Sequence, residues 1–116
     1  MALCQGGREV SLYMIQARLT PEAWQAIYSS SVDRREVVSS MLEKAGGKLV
    51  DYYFSFGDSD VMLIADAPDN RLAGAAAIAI ARSGAVTEIR TTPLLSYEEG
   101  VEAMRRSADM GYTPPR

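Results

Sequence analysis

The spacing of hydrophobic positions along this chain switches repeatedly between strand-like and helix-like periods. From Glu9 to Leu19 strand-forming residues dominate and polar ones are too few for an exposed helix, which predicts a first strand. Thr20-Pro21-Glu22 then supplies a capping hydroxyl, a proline at the first helical position and an acid near the positive helix end. A short helix is expected through Trp24 and Ile27, broken at Ser29-Ser30-Ser31. Asp33, with Glu36 three residues on, has capping-box spacing and opens a second helical stretch. There Val37, Val38, Met41, Leu42 and Ala45 recur at helical spacing until Gly46-Gly47 ends it.

The next stretch changes period. Between Lys48 and Phe56, Val50, Tyr52, Phe54 and Phe56 alternate with Leu49, Asp51, Tyr53 and Ser55, which predicts a strand with those two faces. The short turn Gly57-Asp58-Ser59 leads into a second strand, Asp60 to Asp66, so the two must pair as an antiparallel hairpin. Pro68 breaks that strand, Asp69 can cap a helix, and the alanine-rich run Leu72 to Arg82 predicts a helix able to lie close to its sheet. Gly84 ends it. Ala85 to Leu95 is the last strand, and Ser96-Tyr97-Glu98-Glu99 is a second capping box that opens a helix to about Ala108.

The order strand, helix, strand, strand, helix, strand predicts an α+β fold, the ferredoxin-like split βαββαβ arrangement with an extra C-terminal helix. Residues 1–8 read as a flexible tail, 9–108 as one domain and 109–116 as a polar tail. Right-handed crossovers place both helical segments on one face of the sheet. Every strand has apolar residues on both faces, most clearly Val61, Leu63 and Ala65 against Met62 and Ile64. A sheet buried on both sides needs a second cover, so a homodimer closed through the other face, a dimeric α/β barrel, is expected. Folding of the last helix over that face is the alternative.

Composition narrows the function. The chain has 116 residues, 47% hydrophobic and 23% charged, as one globular domain would. Its net charge of −3 and the lack of a basic run argue against nucleic-acid and membrane-surface binding. The one cysteine, Cys4, cannot form an internal disulfide, and the first eight residues lack the apolar core of a signal peptide, so a cytoplasmic location is expected. No histidine is present, which removes Ser-His-Asp and Cys-His catalysis, His-metal sites and imidazole switches. No metal and no cofactor are expected; Asp66 and Asp69 flank a proline without a ligand-rich loop, and capping accounts for Asp69.

Four segments carry a family likeness: Gly46-Gly47-Lys48-Leu49, the hairpin through Phe56-Gly57-Asp58-Ser59-Asp60-Val61, Ala65-Asp66-Ala67-Pro68-Asp69, and Arg90-Thr91-Thr92-Pro93-Leu94-Leu95. They resemble the GYD domain family over about residues 10–105. The family's Gly-Tyr-Asp element corresponds here to Gly57-Asp58-Ser59-Asp60, which keeps the glycine and the final aspartate but not the tyrosine. The resemblance implies a bacterial or archaeal protein with the dimeric α/β-barrel fold. That group includes cofactor-independent monooxygenases, lactone isomerases, haem enzymes and pure binding proteins, so the likeness implies a fold and a dimer without supplying a reaction.

Polar residues gather on the strand faces assigned away from the helices: Gln16 and Arg18, then Asp51, Tyr53 and Ser55, then Glu88, Arg90 and Thr92. Gln16, Arg18, Tyr53, Ser55 and Arg90 are therefore candidate ligand-binding residues in the barrel interior. In a catalytic reading Arg90 grips a carboxylate or enolate, Glu88 or Asp51 acts as base, and Tyr53 donates to an oxyanion. In a structural reading Glu88 and Arg90, two apart on one face, simply pair. Three functions stay open: a small-molecule-binding dimer, a cofactor-independent isomerase or monooxygenase of an enolisable substrate, and a non-catalytic assembly or regulatory module. The binding and assembly readings rank above the enzyme, because no activated nucleophile or matched acid–base pair is visible.

Overall fold

The computed structural model describes residues 4–5, 8–9 and 11–115. The chain divides into two compact units, Ser11–Leu94 and, together, Met1–Val10 with Leu95–Arg116. The first holds β1 (Leu12–Leu19), α1 (Pro21–Ser29), α2 (Arg34–Lys44), β2 (Lys48–Phe54), β3 (Val61–Asp66), α3 (Asn70–Ala81) and β4 (Val86–Pro93). Its four strands are antiparallel in the order β2-β3-β1-β4, the ferredoxin-like arrangement predicted from the sequence. The second unit contains α4 (Tyr97–Ser107). It also contains a two-residue ladder, Cys4–Gln5 against Arg8–Glu9, so the first long strand starts at Leu12 rather than Glu9. No helix among the described residues is long and apolar enough to cross a membrane.

The helix ends follow their capping residues. Thr20 accepts from the Ala23 amide at 3.1 Å with Pro21 at the first helical position, and Asp69 accepts from the Leu72 amide at 3.0 Å. Ser96 and Glu99 form the reciprocal capping box, at 3.0 and 2.8 Å. Asp33 behaves differently from the prediction: it accepts from the Arg35 amide at 2.9 Å and pairs with the Arg35 guanidinium at 2.7 Å, and Glu36 does not close the box. That exposed pair holds the Asp33 carboxyl below its ordinary value, chiefly through the hydrogen bond from Arg35. Gly46, at φ 90°, takes the left-handed turn that ends α2. A side chain at Gly47 would meet the Asp66 carbonyl at 2.8 Å, so the chain can enter β2 here only as glycine.

One face of the sheet makes the core. Alternate residues of β1 and β3 (Tyr13, Ile15 and Ala17 with Val61, Leu63 and Ala65) are buried. Ile15, Leu63 and Ala65 pack with Leu42 of α2 and Ala76 of α3, and Tyr13 packs with Ala67 and Ala73. On β2 the register shifts between Leu49 and Asp51, leaving Val50 out of the pairing. The bulge puts Leu49 on the helix side with Tyr52, against the simple alternation expected, and leaves Val50 48% exposed. The strand also stops at Phe54 rather than running to Phe56, which falls beyond it and is fully exposed.

The hairpin turn is fastened to β1 by two side chains. Past Ala17 and Val61 the β3 strand has no carbonyl left for Leu19, and Asp60 Oδ2 takes that amide at 2.9 Å while the Asp60 amide donates to the Ala17 carbonyl. Arg18 donates to the Gly57 and Asp58 carbonyls at 2.9 and 3.0 Å. Removing the Asp60 carboxylate strands a part-buried amide, which costs about 1–3 kcal/mol. Asp60→Ala is therefore expected to lower urea-melt stability by that amount, whereas Asp58→Ala, whose backbone carbonyl is the acceptor, is expected to change it little.

Candidate functional site

The strand register fixes where the predicted site residues lie. Opposite the helices, one row across the sheet reads Tyr53, Met62, Gln16, Arg90 and the next Asp51, Ile64, Met14, Thr92. The inner strands thus carry Met14, Met62 and Ile64 with one polar residue, Gln16, among them, and Tyr53, Asp51, Arg90 and Thr92 lie on the two edge strands. Tyr53 and Arg90 are three strand spacings apart, roughly 14 Å. Within one chain they do not meet around a common ligand.

Each edge instead holds its own pair. Arg90 lies 3.4 Å from Glu88, with both side chains at least half exposed, an arrangement worth little in water. On the β2 edge the Asp51 carboxylate accepts from Tyr53 and holds that exposed phenol above its ordinary value. Arg18 is engaged by the hairpin turn, as is Ser55, which donates to the Ser59 carbonyl at 2.8 Å. Gln16, Arg18, Glu88 and Arg90 line only a narrow cleft of about 10 Å³. The strand register places Gln16, Tyr53 and Arg90 on the face opposite the helices, where the cleft that Gln16 and Arg90 share is too small for a ligand.

A larger space lies on the other side of the sheet. Between the sheet and the three helices is a crevice of about 370 Å³. Its floor is Ile15, Ala17, Val61, Leu63 and Ile89; α1 contributes Ala23, Ala26 and Ile27, α2 contributes Val37, Val38 and Met41, and Ala79 and Ile80 close the α3 side. Small residues border it: α3 buries Ala73 and Ala76 against the sheet, while Ala23, Ala26 and Ala79 line the open space. Trp24, the one large side chain at this end of α1, points elsewhere and stacks on Phe54 with ring centroids 6.1 Å apart.

Three polar side chains line the crevice: Arg34, Tyr52 and Ser83. Ser83 is already used, donating to the Ile80 carbonyl at 2.6 Å and accepting from the Ala85 amide. Arg34 opens α2 and lies beside the half-buried Tyr52 hydroxyl. Burial pushes the Tyr52 phenol up, and the neighbouring guanidinium partly opposes that rise. No carboxylate lines the crevice among the described residues. Sequence reasoning missed this site; its only trace is the alanine content of α1 and α3.

Among known families, the model described as GYD domain matches residues 13–104, from Tyr13 on β1 to Met104 on α4. None of the curated proteins compared with the chain matches it.

The raised Tyr52 phenol has a thermodynamic consequence. Below the ordinary phenol value of 10.0 the folded and unfolded chains are both protonated at this residue and stability is unaffected. As pH rises from there towards the raised folded value, the unfolded chain ionises first and stability falls. Tyr52→Phe is expected to reduce the loss of stability above pH 10, measured by urea melts across the alkaline range, and to leave the pH dependence at neutral pH unchanged.

Proposed function

This chain belongs to the GYD domain family, and we propose that it binds a small, largely apolar molecule between its sheet and helices while a second copy covers the open sheet face. The crevice carries this reading. Its volume of about 370 Å³ falls in the range of small-molecule pockets, and its walls are apolar apart from a few converging polar groups. The crevice opens to solvent at Ala26, Val37 and Ala79, and a ligand that covers its apolar walls removes them from water.

The same lining favours binding over turnover. Abstracting a proton from an enolisable substrate needs a base near the operating pH. The crevice offers an arginine, a serine already hydrogen-bonded and a tyrosine whose burial makes it a poorer acid. Glu88, Arg90, Asp51 and Tyr53 are on the far face in two separate pairs. Pairing of Arg90 with Glu88 beside a nearly filled cleft suits an assembly surface better than an active site.

The open face suits a second copy of this chain. Its apolar centre is rimmed by Asp51 on the β2 edge and Arg90 on the β4 edge. A two-fold axis along the strands brings the Arg90 row over the Tyr53 row of the other copy, with the Asp51 carboxylate that Tyr53 bonds one row away, so a cationic edge meets an anionic one.

Native mass spectrometry of freshly purified protein tests both parts. The expected wild-type species is two chains carrying a small-molecule adduct. Ala26→Phe, which fills the crevice, is expected to keep the dimer and lose the adduct; Met62→Lys, which charges the apolar centre, is expected to give single chains. A bare wild-type chain, or an adduct that survives in Ala26→Phe, would contradict the proposal.

A further inference from the structure

The crevice is almost wholly hydrocarbon except at Arg34 and Tyr52. Among the described residues Arg34 forms no ion pair with a carboxylate, although its helix neighbour Arg35 is paired with Asp33. A guanidinium at an apolar wall presents a planar fork of donors, whose best partner is a carboxylate taken through two parallel hydrogen bonds. The Tyr52 hydroxyl beside it stays protonated and is a further donor. Ser83, the remaining polar side chain of the lining, has both its bonds inside the protein. The site therefore offers one cation and a neutral donor, and the Asp33 carboxylate, near enough to act on Tyr52, is already paired with Arg35.

The space sets the size of the apolar part. At about 30 Å³ for a water-sized group, 370 Å³ holds about a dozen such groups. Resting on the crevice as the binding site, we infer that the ligand is a monocarboxylate with a hydrocarbon body of about ten carbons, its carboxylate on Arg34 and Tyr52 and its body against Ile15, Leu63 and Met41.

Three probes of one length separate the possibilities: decanoate, decanol and decylamine, titrated calorimetrically into the whole protein. Decanoate is expected to bind about tenfold or more tighter than decanol, since a hydrogen-bonded charge is worth about 1.5–3 kcal/mol. Decylamine is expected to bind most weakly. Arg34→Gln is expected to erase the preference for decanoate and leave decanol binding unchanged. Arg34→Lys, which keeps the charge but not the fork, is expected to retain part of it. Urea melts of each variant establish that it is folded.

Equal binding of decanoate and decanol by the wild type, or a preference that survives Arg34→Gln, would overturn the ligand class and leave the crevice as a site. Binding of neither probe, or binding that persists in both Ala26→Phe and Ala79→Phe, would show that the crevice is not the site, and the inference would fall with it.

Discussion

A four-stranded sheet with hydrocarbon on both faces cannot be satisfied by helices on one of them. That constraint governs this protein. Alternate residues of β1 and β3 point to α2 and α3 and form the core, while Met14, Met62 and Ile64 point the other way and are only half-buried. Apolar surface left in water forgoes about 25 cal/mol per Å². Most polar residues of this face do not change the balance: Glu88 with Arg90 and Asp51 with Tyr53 pair along the edge strands, and Arg18 is bonded to the hairpin turn. This face is the one on which the proposed second copy would sit, with the paired edge residues at its margin.

The helix side has the opposite problem, too little side chain rather than too little cover. Alanines let α3 pack tightly at one end, and the same residue type leaves a gap at the other, where α1 adds more alanines and turns its tryptophan onto Phe54. A gap lined by Ile15, Leu63, Met41 and Ile89 is either a defect or a site. The single guanidinium of Arg34 on its wall, beside a protonated phenol, gives it the polarity of a site.

Much of the architecture was legible in the sequence, because it is written in local signals. Thr20-Pro21, Asp69 and the Ser96/Glu99 box mark helix starts where the structure has them, Gly46-Gly47 marks the end of α2, and the parity of Val61 to Ile64 assigns the two faces of β3 correctly. What failed depends on distance in space. The bulge at Val50 reverses the side to which Leu49 points, and no residue type announces it. Arg18 bonds carbonyls 39 and 40 residues away, a contact that parity does not reveal. The crevice exists only because three helices approach the sheet at particular distances, which periodicity does not encode. Strand alternation is a strict geometric rule and assigns residues to the face opposite the helices, whereas absent volume leaves no pattern by which to read a crevice.

Solvent access at the centre of the open face tests this account most directly. Met62→Cys in a Cys4→Ser background places one thiol there, and its rate of reaction with a soluble thiol reagent can be followed as the protein is diluted. The account predicts slow labelling in concentrated protein that accelerates on dilution, as a second copy departs. Rapid labelling at every concentration, or protection that dilution leaves untouched, would contradict it.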